Sequence, residues 1–138
     1  MTTITNSKEE SLIIREQDVV PLRNRVKEYG VKIGMSILNQ TKLITATSEL
    51  VRNLLKYGGG GKVIIESVSN GRDHGVRVTF IDQGPGIADI EMAMRDGYST
   101  GKSLGLGLPG TKRLVNEFEI KSELGNGTTV TITKWKNG

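Results

Sequence analysis

The 138-residue sequence predicts an α/β fold, a two-layer sandwich in which helices cover one face of a mixed, mainly antiparallel sheet. Two observations lead to this prediction. Strand-like runs follow one another in pairs across short glycine-containing connections, which is the pattern of antiparallel hairpins. Two other segments carry apolar residues at helical spacing on one face only, so each must bury that face against a second layer. A chain of this length buries its own core, and we expect one domain over residues 1–138.

The first half of the sequence predicts one strand followed by two helices. Residues 11–16 have strand character, and Gln17-Asp18 offers a cap for the helix that follows. The apolar face of this first helix is formed by Val19, Leu22, Val26 and Tyr29. The second helix has a longer apolar face, formed by Leu43, Ala46, Thr47, Leu50, Leu54 and Tyr57. Consecutive glycines at 58–61 should end this helix, because glycine adopts non-helical conformations readily.

The second half predicts two hairpins separated by helical segments. The predicted strands are residues 62–68, 76–82, 118–123 and 128–135. Between the hairpins, residues 89–94 and 108–116 have helical character, whereas residues 95–105 are irregular. The hairpins supply strands to one sheet, and the helices supply the layer that covers it.

Composition narrows the kinds of site that this chain can build. Cysteine is absent and His74 is the single histidine, so a disulfide framework and a His/Cys zinc site are excluded, and any metal must have oxygen ligands. No apolar run approaches a membrane span and the N-terminus lacks a signal-peptide pattern, which predicts a cytoplasmic protein without membrane contact. Lys and Arg total 19 against 15 acidic residues, but they are scattered and aromatic residues are few, so we expect no nucleic-acid binding.

Glu49 and Asn53 stand four residues apart on the second predicted helix, beside its apolar face. Side chains at this spacing lie one above the other on the same flank, so the pair can serve a single ligand. A carboxylate and an amide oxygen there can hold a magnesium ion together, or act separately as a base and a metal ligand. The alternative is a solvated polar flank without a ligand, which the pair alone does not exclude.

A carboxylate ends the predicted strand at residues 76–82. Strand alternation puts Asp82 on the same face as the apolar residues before it, and a carboxylate directed toward the core needs a partner. Gly84 and Gly86 follow in a tight turn where the backbone can approach a flat ligand closely. Thr128 points inward from the last strand and would meet Asp82 across the same pocket. The alternative is an aspartate that caps its own turn.

The third feature is a glycine-rich loop at residues 103–110 that leads into a helix. Unpaired backbone N–H groups at the start of a helix point at anions, and phosphate is the natural ligand. Gly105, Leu106 and Gly107 form the centre of this loop, and Lys102 is a candidate for contacting phosphate. The loop lacks the glycine spacing of a P-loop, and it does not follow a parallel strand as a dinucleotide fingerprint does.

In order and spacing, these motifs resemble the nucleotide site of the superfamily that contains gyrase, heat-shock chaperones, histidine kinases and MutL. Its N box is matched by Glu49 and Asn53, its G1 box by residues 82–86 and its G2 box by residues 105–107. The resemblance implies the Bergerat-type ATP-binding fold.

Within the superfamily, residues 105–114 and 127–135 look like the anti-sigma-factor serine/threonine kinase group, and more narrowly its stressosome switch kinases. This resemblance implies transfer of the ATP γ-phosphate to Ser or Thr of STAS-domain stressosome proteins. It also implies partner switching that activates a PP2C-type phosphatase in the general stress response. The alternative is a nucleotide-responsive anti-sigma factor or binding module with little catalysis.

The same resemblance implies ATP and Mg²⁺ as cofactors and a role for each site residue. Glu49 corresponds to the general base and Asn53 to the magnesium ligand. Asp82 corresponds to the acceptor of the adenine amino group, and Thr128 supplies its supporting hydroxyl. The remaining nucleotide contacts would come from Gly84, Gly86, Lys102, Gly105, Leu106 and Gly107. This chain departs from the related kinases in the glycine-rich loop, because Ser103 stands where those kinases carry a basic residue.

Overall fold

The computed structural model describes residues 2–86, 94 and 107–138. The strands in this part of the chain are β1 (Ile4–Ile13), β2 (Gly61–Ser69), β3 (His74–Asp82), β4 (Glu117–Glu123) and β5 (Gly127–Trp135). The helices are α1 (Val19–Lys32), which follows a 3₁₀ turn at Glu16–Asp18, α2 (Ile37–Lys56) and α3 (Leu108–Leu114). None of these helices combines the length and the apolar character that a membrane span requires. The predicted helix at 89–94 and the irregular segment at 95–105 lie outside the described residues, apart from Met94.

The five strands form one sheet in the order β1-β2-β3-β5-β4. All four neighbouring pairs are antiparallel, so the sheet is more uniform than the mixed one that we expected. The apolar faces of α1 and α2 lie on one side of this sheet. The predicted two-layer α/β sandwich is therefore confirmed.

The contact between the two layers holds the scaffold of the molecule together. The residues buried there include Leu22, Val26, Leu43, Ala46, Leu50, Leu54, Val63, Ile65, Val76, Val78, Phe80, Val130 and Ile132. Each large apolar side chain stabilises the fold by roughly 1.5–3 kcal/mol when it is fully buried. This packing therefore fixes α2, which carries Glu49 and Asn53, relative to β3, which carries Asp82.

The first strand begins at Ile4, well before the predicted residue 11. Its early part is polar and lies at the edge of the sheet, where Thr5 donates a hydrogen bond from its hydroxyl to Glu66 at 2.8 Å. The pairing with β2 is interrupted by a bulge between Thr5 and Ser7. A solvated, bulged edge strand has no apolar alternation, which is why the pattern predicted only the end of β1.

The end of α2 lies beside the end of β3. As predicted, α2 stops before the glycine run, and Gly59 and Gly60 adopt φ angles of 73° and 97° that other residues rarely take. The N–H of Gly60 donates to the carbonyl of Leu54 at 2.9 Å and closes the helix. The chain then enters β2, in which Gly61 pairs with Asp82. This turn brings the end of the helix that carries Glu49 and Asn53 close to Asp82.

Candidate functional site

Asp82 is the last residue of β3, and two backbone donors hold its carboxylate. The N–H of Gly84 donates to Oδ1 at 2.9 Å, and the N–H of Thr128 donates to the same oxygen at 3.2 Å. The first bond forms the turn cap that we gave as the alternative explanation, and the second ties Asp82 to the start of β5. Because both donors use Oδ1, the other oxygen keeps the capacity to accept a hydrogen bond from a ligand.

Bare backbone surrounds the carboxylate of Asp82. A Cβ atom added to Gly58 would lie 2.6 Å from Cγ of Asp82, and one added to Gly84 would lie 2.8 Å from Cα of Gly58. Real Cβ atoms do not approach other atoms this closely, so both positions require glycine. Gly86 and Gly127 have positive φ angles and pack in the same way against backbone carbonyl oxygens. The turn after β3 therefore surrounds the carboxylate with backbone instead of side chains.

Thr128 contacts Asp82 through its backbone and not through its hydroxyl. Its hydroxyl oxygen lies 2.8 Å from that of Ser122, the residue opposite it on β4. The inward direction of Thr128 agrees with the sequence pattern, but its supporting contact to Asp82 comes from the N–H group. Ser122 could not be singled out from the sequence, because its nearness to Thr128 depends on the register of the β4–β5 pair.

Glu49 lies on α2 between an arginine and a glycine. Its Oε1 atom forms an ion pair with Nη2 of Arg52, three residues further along the helix, and this hydrogen bond raises the pKa of Arg52 above its ordinary value. Gly107 also packs against this carboxylate, because a Cβ added to it would collide with Oε1 and lie 2.9 Å from Cδ of Glu49. Gly107 has a φ of 68° and is the residue just before α3, so the start of α3 packs against the carboxylate. The Glu49 side chain is 30% exposed.

Asn53 lies one turn after Glu49, close to the end of α2. Its backbone carbonyl accepts the N–H groups of Tyr57 at 2.9 Å and Gly58 at 3.2 Å. Its Oδ1 atom is buried and accepts no hydrogen bond within the described residues, although the residue takes part in another interaction. From Glu49 to Lys56, the last residue of α2, the helix advances roughly 10–11 Å. Since Gly58, two residues further on, packs against Asp82, α2 and the turn after it link the two ends of the site.

The donor set suits magnesium bound together with phosphates. Magnesium is usually held by one or two protein oxygens, with substrate phosphates and water completing its coordination. The amide oxygen of Asn53 fits that arrangement, while the described residues contain no group of three or more His, Cys, Asp or Glu side chains that could hold a metal. Three predicted contacts of the nucleotide, Lys102, Gly105 and Leu106, lie outside the described residues.

This fold and this site define a class of ATP-binding domain. The chain belongs to the histidine kinase-, DNA gyrase B- and HSP90-like ATPase family, which its residues 38–137 match. The resemblance predicted from the N, G1 and G2 boxes is thereby confirmed.

Two relatives indicate which group of this ATPase family the chain resembles. Over 123 residues the chain is 42% identical to serine/threonine-protein kinase RsbT of Bacillus subtilis (strain 168), covering 89% of this chain and 92% of that protein. Over 137 residues it is 29% identical to the anti-sigma F factor of Thermoanaerobacter sp. (strain X514), covering 95% of this chain and 94% of that protein. The first likeness confirms the resemblance to the switch kinases and supports an ATP-dependent serine/threonine kinase.

A solved structure shares the fold. The crystal structure of the RsbU and RsbW domains of the Mycobacterium tuberculosis protein Rv1364c superposes with a TM-score of 0.63 at 22% identity. The match covers 94% of this chain and 32% of that one, so the present chain spans about a third of it. At this level of identity the likeness shows the fold alone.

Proposed function

We propose that the protein is an ATP-dependent serine/threonine kinase that phosphorylates STAS-domain proteins. The observation that carries this proposal is the position of Glu49. It is a partly exposed carboxylate, paired with Arg52 and packed on Gly107, one helical turn from Asn53. A carboxylate in this place can accept a proton, while the turn after α2 packs against Asp82, where bare backbone could face a flat ring. The similarity to RsbT supports protein hydroxyl groups as acceptors.

Asp82 would select adenine at one end of the site. Its Oδ1 atom accepts two backbone N–H groups, and Oδ2 would accept the exocyclic amino group of adenine. Guanine carries a carbonyl oxygen at that place, which the carboxylate would repel. Gly58 and Gly84 let the backbone close around this carboxylate, because a side chain at either position would collide with Asp82 or with the neighbouring backbone.

Asn53 and the glycine-rich loop would hold the other end of the nucleotide. Asn53 would offer its amide oxygen to Mg²⁺. When bound, Mg²⁺ supplies positive charge that offsets the charge of the phosphates. The residues proposed to surround the phosphates are Lys102, Gly105, Leu106 and Gly107.

Glu49 would act as the general base in the transfer step. As the Ser or Thr oxygen of the substrate forms its bond to the γ-phosphorus, Glu49 accepts the hydroxyl proton. The bond from that phosphorus to the bridging oxygen breaks, and ADP leaves with the electron pair. Such a transfer depends mainly on positioning and electrostatic stabilisation, so few reacting groups are needed from the protein.

We propose STAS-domain stressosome proteins as the substrates, and a PP2C-type phosphatase as the partner that the kinase activates after leaving them, all in the cytoplasm. The support is the resemblance of residues 105–114 and 127–135 to stressosome switch kinases, together with the similarity to RsbT. Partner switching requires a protein-binding role beside catalysis.

The second candidate function is a nucleotide-responsive anti-sigma factor or binding module with little catalysis. It is favoured by the likeness to anti-sigma F factors, one of which aligns over 95% of this chain. In such a protein the nucleotide would control partner affinity, and Glu49 would have no proton to accept. The two functions therefore differ in whether they depend on Glu49.

The deciding experiment is single-turnover phosphate transfer from Mg-ATP to a purified STAS-domain protein. Glu49→Gln keeps the size of the side chain and removes its basicity, so transfer should fall by roughly 10² to 10⁴-fold while ATP affinity changes little. Asn53→Ala should instead weaken Mg-ATP binding as well as transfer, because it removes the proposed metal ligand. Full transfer by Glu49→Gln would contradict the proposed mechanism and favour the binding module.

A further inference from the structure

We propose that Arg52 is a positioning residue of the phosphoryl-transfer reaction, holding one oxygen of the Glu49 carboxylate so that the other is directed at the acceptor hydroxyl. The proposal rests on the proposed role of Glu49 as the base. Arg52 is assigned no contact with the nucleotide or the acceptor, and it acts only through Glu49.

Two contacts restrict the Glu49 carboxylate. Nη2 of Arg52 binds Oε1, and within the described residues no hydrogen bond is made to Oε2. The terminal torsion of a glutamate is otherwise broad, so fixing one oxygen removes most of its freedom. Gly107 packs against the same oxygen, since an added Cβ there would collide with Oε1 and lie 2.9 Å from Cδ and 3.0 Å from Cγ of Glu49. The guanidinium and the glycine backbone together leave a narrow range of carboxylate orientations.

This ion pair lies within one element, as do the pairs Arg25–Glu28 and Lys121–Glu119, whereas other pairs join separate elements. Arg25 ties α1 to β1, and Arg77 ties β3 to β2. Arg52 and Glu49 lie within one turn of α2, with side chains that are 48% and 30% exposed. An exposed pair at this spacing contributes little to stability. Because the pair lies beside Gly107, its proposed role is to orient the Glu49 carboxylate and not to stabilise the fold.

Arginine suits this task better than lysine. Its planar guanidinium keeps its charge at every working pH and fixes the direction of its hydrogen bonds, and the bond to Glu49 raises the pKa of Arg52 further. A lysine ammonium on a flexible stem would supply the same charge without that direction. Arg52→Lys should therefore restore only part of the function that Arg52→Gln loses.

The test is a double-mutant cycle on single-turnover transfer from Mg-ATP to a purified STAS-domain protein. Arg52→Gln should slow transfer by roughly 10²-fold at saturating ATP, the loss expected when a reacting group is misplaced by about an ångström. Its ATP affinity should not change. In the Glu49→Gln background, Arg52→Gln should cause no further loss, because the side chain that it orients is no longer a base.

Lys56→Gln is the matched control. It removes one positive charge from α2, one turn after Arg52, where the Lys56 ammonium lies 5.3 Å from the ring centre of Tyr57. This variant should transfer phosphate at the rate of the unaltered protein. All variants should keep the same circular dichroism spectrum, so that a change in rate reports on the site and not on folding.

Several outcomes would overturn the proposal, and they are distinguishable. A further loss on adding Arg52→Gln to Glu49→Gln, or weaker ATP binding by Arg52→Gln alone, would show that Arg52 contacts the phosphates directly. Full transfer by Arg52→Gln, with Glu49→Gln impaired, would overturn the role of Arg52 and leave the kinase proposal intact. Full transfer by Glu49→Gln, or none by the unaltered protein, would overturn the proposed function and the role of Arg52 with it.

Discussion

Gly58 is the residue on which the geometry of Asp82 depends most directly. A methyl group there would meet Cγ, Cβ and Oδ2 of Asp82 at 2.6, 2.7 and 2.8 Å. Asp82 cannot yield easily, because its Oδ1 atom is held by the N–H groups of Gly84 and Thr128. The absence of a side chain at position 58 therefore keeps the carboxylate in place and its second oxygen accessible.

Gly58→Ala should weaken ATP binding by roughly tenfold to a hundredfold, the range expected for one lost hydrogen bond to a charged acceptor. Isothermal titration calorimetry with Mg-ATP measures the change. Gly30→Ala is the control, because Gly30 lies in α1 and a Cβ added there would make only ordinary contacts, 3.4 Å from Cγ of Gln40 and 3.6 Å from Sδ of Met35. Equal affinities of the Gly58→Ala variant and the unaltered protein would contradict the assignment of Asp82 to adenine.

Among individual site residues, the sequence predicted those whose placement follows from the periodicity of a single helix or strand. The spacing of Glu49 and Asn53 and the strand position of Asp82 each depend on one element only. Arg52 and Gly58 could not be singled out in the same way. Charged pairs three residues apart are common on helices, and the partner of Gly58 is brought to it by the pairing of β2 with β3.

Among the secondary-structure elements, the strands β1, β2 and β3 are joined on the face of the sheet opposite the helices. Arg77 donates to both carboxylate oxygens of Glu66, each at 3.0 Å, and also to the hydroxyl of Thr5 at 3.1 Å. The Glu66 side chain is only 13% exposed, so the pair is partly removed from solvent. Its two parallel hydrogen bonds fix the register of β2 and β3 far from the core.

Glu66→Gln should lower the free energy of unfolding at neutral pH by about 1.5–3 kcal/mol, since it removes a charged hydrogen-bond acceptor. The hydrogen bond from Arg77 holds the pKa of Glu66 below its ordinary value of 4.5. The stabilisation is therefore present above that value and is lost as the pH falls through the lowered pKa. The difference between variant and unaltered protein should shrink accordingly in urea titrations taken from about pH 7 to about pH 3.

Glu119→Gln is the control for this experiment. Glu119 also forms an ion pair on the sheet, with Lys121 at 3.1 Å, but its side chain is 64% exposed. Its replacement should change the unfolding free energy little at any pH. An acid dependence that is the same in both variants would show that the Glu66–Arg77 pair is not its source.

For whole elements, the helices and the two hairpins were predicted because their buried faces produce a regular spacing of apolar residues in the sequence. The C-terminal end of α2 followed from the glycine run, which the structure confirms. The early part of β1 was missed because an edge strand bonded through polar groups leaves no such repeat. The strand order β1-β2-β3-β5-β4 places β5 between β3 and β4, an arrangement that periodicity does not determine.

In the molecule as a whole, the candidate site gathers at the end of the sheet where β3 stops and β5 starts. A ligand bound there would contact α2, the turn after β3 and the residue before α3 at the same time. Such a ligand binds the folded state and not the unfolded chain, so it should stabilise the entire protein.

Mg-ATP at about a hundred times its dissociation constant should add roughly 2.7 kcal/mol to the stability. The thermal midpoint should then rise on the order of 10 °C for a domain of this size. GTP at the same concentration should give little shift, because Asp82 would face its carbonyl oxygen, and chelating the magnesium should reduce the shift with ATP. Equal shifts with both nucleotides, measured by differential scanning calorimetry, would contradict the selection of adenine.

Because α2 carries Glu49 and Asn53 and ends at Lys56, two residues before Gly58, the number of residues from Asn53 to the end of the helix fixes an angle as well as a distance. Each residue inserted there would rotate the flank of Glu49 by about 100° and shift it by about 1.5 Å relative to the strand end. Insertions and deletions in that stretch are therefore incompatible with a working site even when every side chain is kept.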